Sequence, residues 1–306
     1  MFDLIIVGSG PAGLSAGIYA SRFNYKVLII EGKMPGGWPV IAGKIENYPG
    51  VTGADGVEIM ETMRSQCEKI GVAFKSGAVT SIAKNKKNIF LVETGGGEKF
   101  EGKSLVLSHG TSHRKLGLPN EELFMGKGLS ICAICDAPLY KGKVVAIAGG
   151  GDSSVKSLPM IAEYAKFVYL ITRNKTLSAE PINLERLQKV KNSAVLYENE
   201  VSGIFGENML SSIELKNEYK GSKKLEVGGL FIMIGFVTMT DFFKDLGVLL
   251  DGWGYVMVDN LMKTNISGVF AAGDCTNSAG SFKQMVVSSS QGAIAAASVN
   301  EYLQKI

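Results

Sequence analysis

Arginine is scarce in this chain of 306 residues: among 32 basic side chains only Arg22, Arg64, Arg114, Arg173 and Arg186 carry a guanidinium. That planar fork is the usual two-point clamp for a phosphate, so few such clamps are on offer. Cysteine is scarcer. Cys67, Cys132, Cys135 and Cys275 are too few and too unevenly spaced to staple a secreted scaffold. His109 and His113 are the two histidines, which leaves little from which to complete a zinc site. No apolar run reaches the ~18 residues that a membrane span requires, so no membrane partner is expected. Charge of one sign is also missing. With 32 basic and 29 acidic residues the formal net charge is +3, too balanced for a dedicated nucleic-acid binder. The opening residues have no basic stretch and run directly into a glycine motif, which reads as a first strand rather than a signal peptide. The expectation is a soluble, cytoplasmic protein.

What is present is apolar material and glycine: 46% hydrophobic residues, and 38 glycines against 8 prolines. The length suggests two domains or one large α/β unit. Residues 2–7 are a short apolar run that ends in Gly8-Ser9-Gly10-Pro11-Ala12-Gly13. An apolar-periodic segment follows to Arg22, then a second buried run, Val27-Leu28-Ile29-Ile30, closed by Glu31. Strand, glycine turn, helix, strand and acid make a complete βαβ unit. A second begins with the apolar run 143–148, the turn Gly149-Gly150-Gly151-Asp152-Ser153-Ser154, and a further strand at 167–171. The architecture is therefore duplicated within one chain. Between the two units, residues 89–103 read as a hairpin about Gly95-Gly96-Gly97. Residues 105–110 and 230–235 both read as strands entering glycine turns. A short buried strand ends in Ala271-Ala272-Gly273-Asp274, and a helix is predicted over 292–303.

The first glycine motif has a mechanism. Gly8 permits the tight turn, Gly10 lets a pyrophosphate approach the backbone, and Gly13 lets the helix pack against the strand. The helix N-terminus offers N–H groups and a positive dipole to phosphate, and Glu31 lies where an acid would bond ribose hydroxyls. Asp274 sits at a strand end, where open α/β sheets bind ligands, though a turn acid also fits that position. Trp38, after Gly36-Gly37, either covers a planar cofactor or anchors its loop. His109 is either structural or close to such a cofactor.

The sharpest chemical signal is Cys132-Ala133-Ile134-Cys135-Asp136. Two thiols at this spacing close a small disulfide loop. A thiol at a helix N-terminus is acidified, and the thiolate is the reactive form. The adjoining carboxylate of Asp136 is a proton donor or acceptor for the exchange. Structural zinc needs four ligands, and the other cysteines are single and distant. Cys67 reads as a packed thiol within a helix over 57–70, and Cys275 as passive.

Together these segments resemble the low-molecular-weight thioredoxin reductases, nearly end to end. The resemblance is carried by residues 8–13, Glu31 with Pro35-Gly36-Gly37, Asn47-Tyr48-Pro49-Gly50, residues 132–136, the second glycine motif and residues 268–274. It implies an α/β fold of two Rossmann-like, three-layer dinucleotide-binding domains, the flavin domain discontinuous in sequence. Residues 1–114 and 242–306 would bind FAD, and residues 117–239 would form an NAD(P)H-like domain carrying the cysteine pair. The implied FAD contacts are Gly8, Ser9, Gly10, Pro11, Ala12, Gly13, Glu31, Gly37, Trp38, Asn47, Val79, Gly110, Gly273, Asp274, Lys283, Gln284, Met285 and Val286. The implied catalytic residues are Cys132, Cys135 and Asp136, with no metal. Cys135 would face the flavin and Cys132 would attack thioredoxin. Members of the family are homodimers whose domains rotate against each other.

The departures fall mostly in the second unit. Relatives that use NADPH carry a His-Arg-Arg-x-x-x-Arg segment whose arginines hold the 2′-phosphate. Here it reads Thr172-Arg173-Asn174-Lys175-Thr176-Leu177-Ser178. The glycine motif ends in Ser154, Lys156 stands where an acid is usual, and Pro159 falls inside the expected helix, which it should kink. Each lost charge-assisted bond is worth ~1.5–3 kcal/mol. The expectation is a reductase fed by ferredoxin rather than a pyridine nucleotide. The alternatives are the same enzyme using NADPH or NADH through a degenerate site, and a flavin redox sensor whose cysteines never turn over.

Overall fold

The computed structural model describes residues 1–280 and 282–306. The chain forms two compact units, Met1–Ser112 with Thr238–Ile306, and His113–Val237.

The first unit is a seven-stranded sheet. Its strands are β1 (Phe2–Val7), β2 (Val27–Glu31), β3 (Ala73–Ser76), β4 (Val79–Lys84), β5 (Phe90–Thr94) and β6 (Lys99–Leu107), with Val269–Ala271 as the last in sequence. The order is β3-β2-β1-β6-β5-β4, and Val269–Ala271 also pairs with β6. β3, β2, β1, the second half of β6 and Val269–Ala271 are parallel, with Leu4 beside Val27 and Ser104. The first half of β6 instead pairs antiparallel with β5, and β5 with β4. One long strand thus serves a parallel layer and a three-stranded meander.

Side chains alternate across a strand, and both faces of β1 are covered. Leu4 and Ile6 pack with helix α1 (Pro11–Arg22), helix α2 (Gly56–Lys69) and the C-terminal helix Met285–Leu303. Ile5 and Val7 pack with Ile82, Phe90 and Val92 of the meander. Two buried faces explain why this strand reads as a continuous apolar run. The C-terminal helix starts at Met285, seven residues before the predicted Gly292. Ser288, Ser289 and Ser290 break the apolar pattern, but packing overrides that weak propensity. At Gly292 a Cβ would lie 2.1 Å from the Ala12 carbonyl oxygen, so the two helices meet backbone to backbone.

The second unit repeats the plan. Its parallel sheet runs Ser193–Leu196, Phe167–Ile171, Val144–Ala148, Gly229–Ile232, Leu129–Ser130. A meander of Val201–Gly206, Leu210–Tyr219 and Ser222–Glu226 covers one face. The helix Asp152–Tyr164 covers the other through Val155, Leu158 and Ile161, and it continues past Pro159. The α/β fold with two Rossmann-like domains is therefore as expected. Among the described residues no helix is long and apolar enough to cross a membrane.

Candidate active site

In the first unit, β1, β6 and Val269–Ala271 end side by side, and the glycine turns follow those ends. Gly8 has φ +105°, and a Cβ there would lie 2.4 Å from the Ser108 carbonyl oxygen. A Cβ on Gly13 would lie 1.9 Å from the Gly8 carbonyl oxygen and 2.8 Å from Ser108 Oγ. Gly10 differs: its Cβ would meet only the Gly36 carbonyl oxygen, at 4.0 Å. The turn is thus closed where strand, helix and neighbouring loop touch, and open at Gly10. Gly10 is also the N-cap of α1. It supplies no side-chain cap, Pro11 opens the helix, and no acid lies in the first turn. An uncapped helix start beside an open glycine is the form of a pyrophosphate cradle.

Of the other expected cofactor residues, Gly37 and Gly273 approach that turn, and Asn47 and Gln284 bond each other. The Gly36 N–H donates to Ser9 Oγ at 3.3 Å, and a Cβ on Gly37 would lie 3.4 Å from Gly10 Cα. Trp38 Nε1 donates to Thr111 Oγ1 at 3.0 Å, next to Gly110 with its φ of +65°. A Cβ on Gly273 would lie 3.0 Å from Ala12 Cβ, and its N–H donates to Gln291 Oε1 at 2.7 Å. Asp274 accepts from Ser288 Oγ at 3.1 Å. Burial pushes its carboxyl above the usual carboxylate range, with Ser288 and Lys283 opposing that shift. The Lys283 ammonium donates to the Thr276 carbonyl and stands 4.2 Å from the Tyr255 ring centre. Asn47 Nδ2 donates to Gln284 Oε1 at 3.1 Å. Gln284 stands at the N-cap position of the C-terminal helix without a side-chain capping bond, Met285 and Val286 open the helix, and Met285 packs into the core. Val79 opens β4 two residues after Gly77, whose N–H donates to the Glu31 carbonyl at 2.8 Å.

Glu31 closes β2 and is 2% exposed. Its carboxylate is bonded by Arg64 of α2, Nη1 to Oε2 at 2.5 Å. Sequence reasoning missed Arg64. The one signal was its rarity among five arginines. His109 has both ring nitrogens buried without a hydrogen-bond partner. Its ring lies 5.0 Å from that of Phe242, edge-on, and 5.4 Å from that of Phe243. Burial lowers its pKa to about 4, so the imidazole is neutral at physiological pH.

In the second unit Cys132 and Cys135 form a disulfide, with Cα atoms 5.4 Å apart. Cys132 is the N-cap of the helical turn Ala133–Asp136, and its Sγ accepts the Cys135 N–H at 3.2 Å. Ser130 Oγ accepts the Cys132 N–H at 3.1 Å and braces the approach. Cys135 is exposed and Cys132 half-buried, within the exposed apolar side chains Ile131, Ile134 and Leu139. Asp136 is half-buried and its N–H donates to the Cys132 carbonyl at 3.2 Å. The pair is accessible, as exchange with a partner disulfide requires. Among the described residues no cluster of metal-ligating side chains occurs.

Cys67 and Cys275 are different. Both are 0% exposed, and burial pushes each thiol up to about 12. A raised pKa keeps a thiol protonated, and only the thiolate attacks. The oxidised native protein at pH 8 is therefore expected to give no rapid reaction with a thiol reagent, and two thiols after denaturation without reductant. Fast labelling of either cysteine in the native state would contradict its burial.

The second glycine turn has the same plan: it is open at Gly151, the N-cap of the helix Asp152–Tyr164 without a side-chain cap, where a Cβ would meet only the Ser178 carbonyl oxygen at 4.0 Å, and closed elsewhere. Cβ atoms would lie 2.1 Å from the Met233 carbonyl oxygen at Gly149 and 2.2 Å from Thr172 Oγ1 at Gly150. Ser154 Oγ donates to the Gly151 carbonyl at 2.7 Å. Asp152 Oδ1 accepts the Glu180 N–H and Asn183 Nδ2, each at 2.9 Å. At the strand end that corresponds to Glu31 stands Thr172. Beyond it, Arg173 lies 3.9 Å from Glu200 and Lys175 lies 3.9 Å from Glu198.

A family model described as pyridine nucleotide-disulphide oxidoreductase matches residues 2–292. The chain is 39% identical to a thioredoxin reductase of Helicobacter pylori, over 99% of each chain. It superposes on the crystal structure of Lactococcus lactis thioredoxin reductase with TM-score 0.93, at 31% identity and over 100% of both chains. A ferredoxin-flavin thioredoxin reductase from Clostridium acetobutylicum is 28% identical, over 100% of this chain and 99% of that one, with TM-score 0.54.

Proposed function

The chain belongs to the pyridine nucleotide-disulphide oxidoreductase family and is a thioredoxin reductase, a flavoprotein disulfide oxidoreductase, and we propose that it takes electrons from reduced ferredoxin and delivers them through FAD and the Cys132–Cys135 pair to thioredoxin. The observation that carries the reductase reading is the accessible disulfide at the N-cap of a helical turn. In this reading the FAD domain is residues 1–114 with 242–306, and residues 117–239 carry the cysteines. The enzyme is a homodimer, and it works in a reducing cytoplasm, where a cysteine pair of this kind cycles instead of staying oxidised.

The residues of the first unit fit a dinucleotide. Gly10 and the uncapped start of α1 take the pyrophosphate, Glu31 the adenosine ribose, and Asp274 with Lys283 and Gln284 the flavin half. Bound FAD supplies a two-electron carrier that a one-electron donor can fill in two steps. The protein's own share is the exchange. The Cys132 thiolate, held at the helix N-cap, attacks one sulfur of the thioredoxin disulfide and releases the other as thiolate. The Cys135 thiolate then attacks Cys132 in the mixed disulfide, re-forming the Cys132–Cys135 bond and freeing the second thioredoxin sulfur. Two electrons leave the enzyme, and two protons go to thioredoxin. Asp136, next to Cys135 in the chain, is the group that supplies or receives the proton in these transfers.

Support for ferredoxin comes from the adenosine end of the second unit. A strand-end acid would favour NADH and an arginine cluster NADPH. Thr172 is neither, and Arg173 and Lys175 stand 3.9 Å from Glu200 and Glu198, which compete with a 2′-phosphate for these two cations. Ferredoxins are acidic, and Lys84, Lys86, Lys87 and Lys220, Lys223, Lys224 are basic clusters on which one could dock. Anaerobic absorbance of the flavin tests the donor. Reduced ferredoxin is expected to bleach it and drive thioredoxin reduction, at a rate that falls as salt rises. NADPH and NADH are expected to be slow even in large excess. Rapid turnover at micromolar NADPH or NADH would overturn the donor assignment and leave an ordinary pyridine-nucleotide reductase.

A further inference from the structure

The pairing of Glu31 with Arg64 goes beyond the general dinucleotide plan. A carboxylate that is 2% exposed needs a cation or several donors, because an unpaired buried charge is strongly destabilising. Arg64 meets that need from another element, with three contacts that fix its geometry. Nη1 bonds Glu31 Oε2 at 2.5 Å, and Nε bonds Glu68 Oε1 at 2.9 Å one helical turn further on. The guanidinium carbon stands 4.1 Å from the ring centre of Phe74. Phe74 lies on β3, whose register places it beside Ile29 and places Ser76 beside Glu31. A strand end, a helix and the adjacent strand therefore hold one guanidinium over one carboxylate. The Arg64 bond falls on Oε2 and leaves Oε1 for the two ribose hydroxyls. One of only five arginines is committed to this corner, while residues 172–178 at the adenosine end of the second unit hold one, Arg173.

We infer that Arg64 is a positioning residue for the adenosine half of FAD: it clamps the Glu31 carboxylate in the orientation in which it accepts from the ribose hydroxyls. The inference rests on the reading that the first unit binds FAD. Bonds to a charged acceptor are among the stronger hydrogen bonds, so a loosened Glu31 should lose about 10- to 100-fold in affinity. It should also lose discrimination.

The test is FAD uptake by flavin-stripped protein, followed by flavin fluorescence quenching, with FAD and with an analogue lacking the adenosine 2′-hydroxyl. Wild-type protein should bind the analogue more weakly than FAD. Arg64→Met, which keeps the aliphatic stem against Phe74, should weaken FAD binding and bring the ratio of the two dissociation constants close to one. A merely structural role for Arg64 would weaken both ligands equally and leave that ratio unchanged, which would overturn the inference. Arg64→Met combined with Glu31→Gln should bind FAD no more weakly than Glu31→Gln alone; losses that multiply would also overturn it. If Arg64→Met does not fold, Arg64→Lys is read by the same ratio, since it keeps the charge but loses the second donor. Failure of the wild-type stripped protein to take up FAD at all would instead defeat the flavin reading itself.

Discussion

Cys135→Ser is expected to take thioredoxin reduction down to background, a loss of at least ~10³-fold against the much larger accelerations enzymes supply, while flavin reduction by the donor continues. The reason is atom balance. With a single thiol, Cys132 attacks the thioredoxin disulfide and stops at the mixed disulfide, because nothing displaces thioredoxin from it. The variant should accumulate a covalent adduct with thioredoxin, visible after acid quenching and electrophoresis without reductant. Cys132→Ser should be equally inactive but form far less adduct. Cys132 is the residue at the N-cap, with its sulfur accepting the Cys135 N–H, and that environment favours thiolate. Adduct formation by Cys132→Ser in place of Cys135→Ser would reverse the roles of the two sulfurs. Turnover within an order of magnitude of wild type in either variant would remove the pair from the electron path.

Gly13→Ala should be almost as damaging, through packing rather than chemistry. On helix propensity alone alanine would gain ~1 kcal/mol. Its Cβ, however, would stand 1.9 Å from the Gly8 carbonyl oxygen, a backbone atom that cannot turn aside. Relief requires α1 to move off the turn, at a cost of about 3 kcal/mol or more. Melting of the flavin-stripped protein should fall by roughly 6–10 °C, and FAD retention should be lost with the cradle. Gly10→Ala is the control. Its Cβ has open space and its φ of −70° suits any residue. The stripped protein should melt as wild type, yet bind FAD poorly because a methyl group occupies the side open to the pyrophosphate. Equal melting of Gly13→Ala and wild type would refute the steric account.

Much of the architecture was legible because its signals are local. A strand buried on both faces is a continuous apolar run, and 2–7, 27–31, 144–148 and 167–171 all read that way. A glycine forced by a φ of +105° at Gly8 or +138° at Gly149 marks a turn without any knowledge of its surroundings. Two cysteines three apart are close enough to pair whatever the rest of the chain does. The start of the C-terminal helix was not legible, because three serines hide a segment whose helicity comes from docking against α1.

The sequence by itself determined the duplicated α/β plan, the two glycine turns and the thiol pair, since each depends on residues within about one βαβ unit of one another. Only the tertiary structure decided that Arg64 bonds Glu31, 33 residues away, that Ser288 and Gln291 bond the Gly273–Asp274 turn, and that Glu198 and Glu200 face the cations beyond Thr172. Those partners come from different elements. A side-chain charge pair between them has no periodicity and no fixed spacing, so it exists only once the sheet order and the helix placement are set.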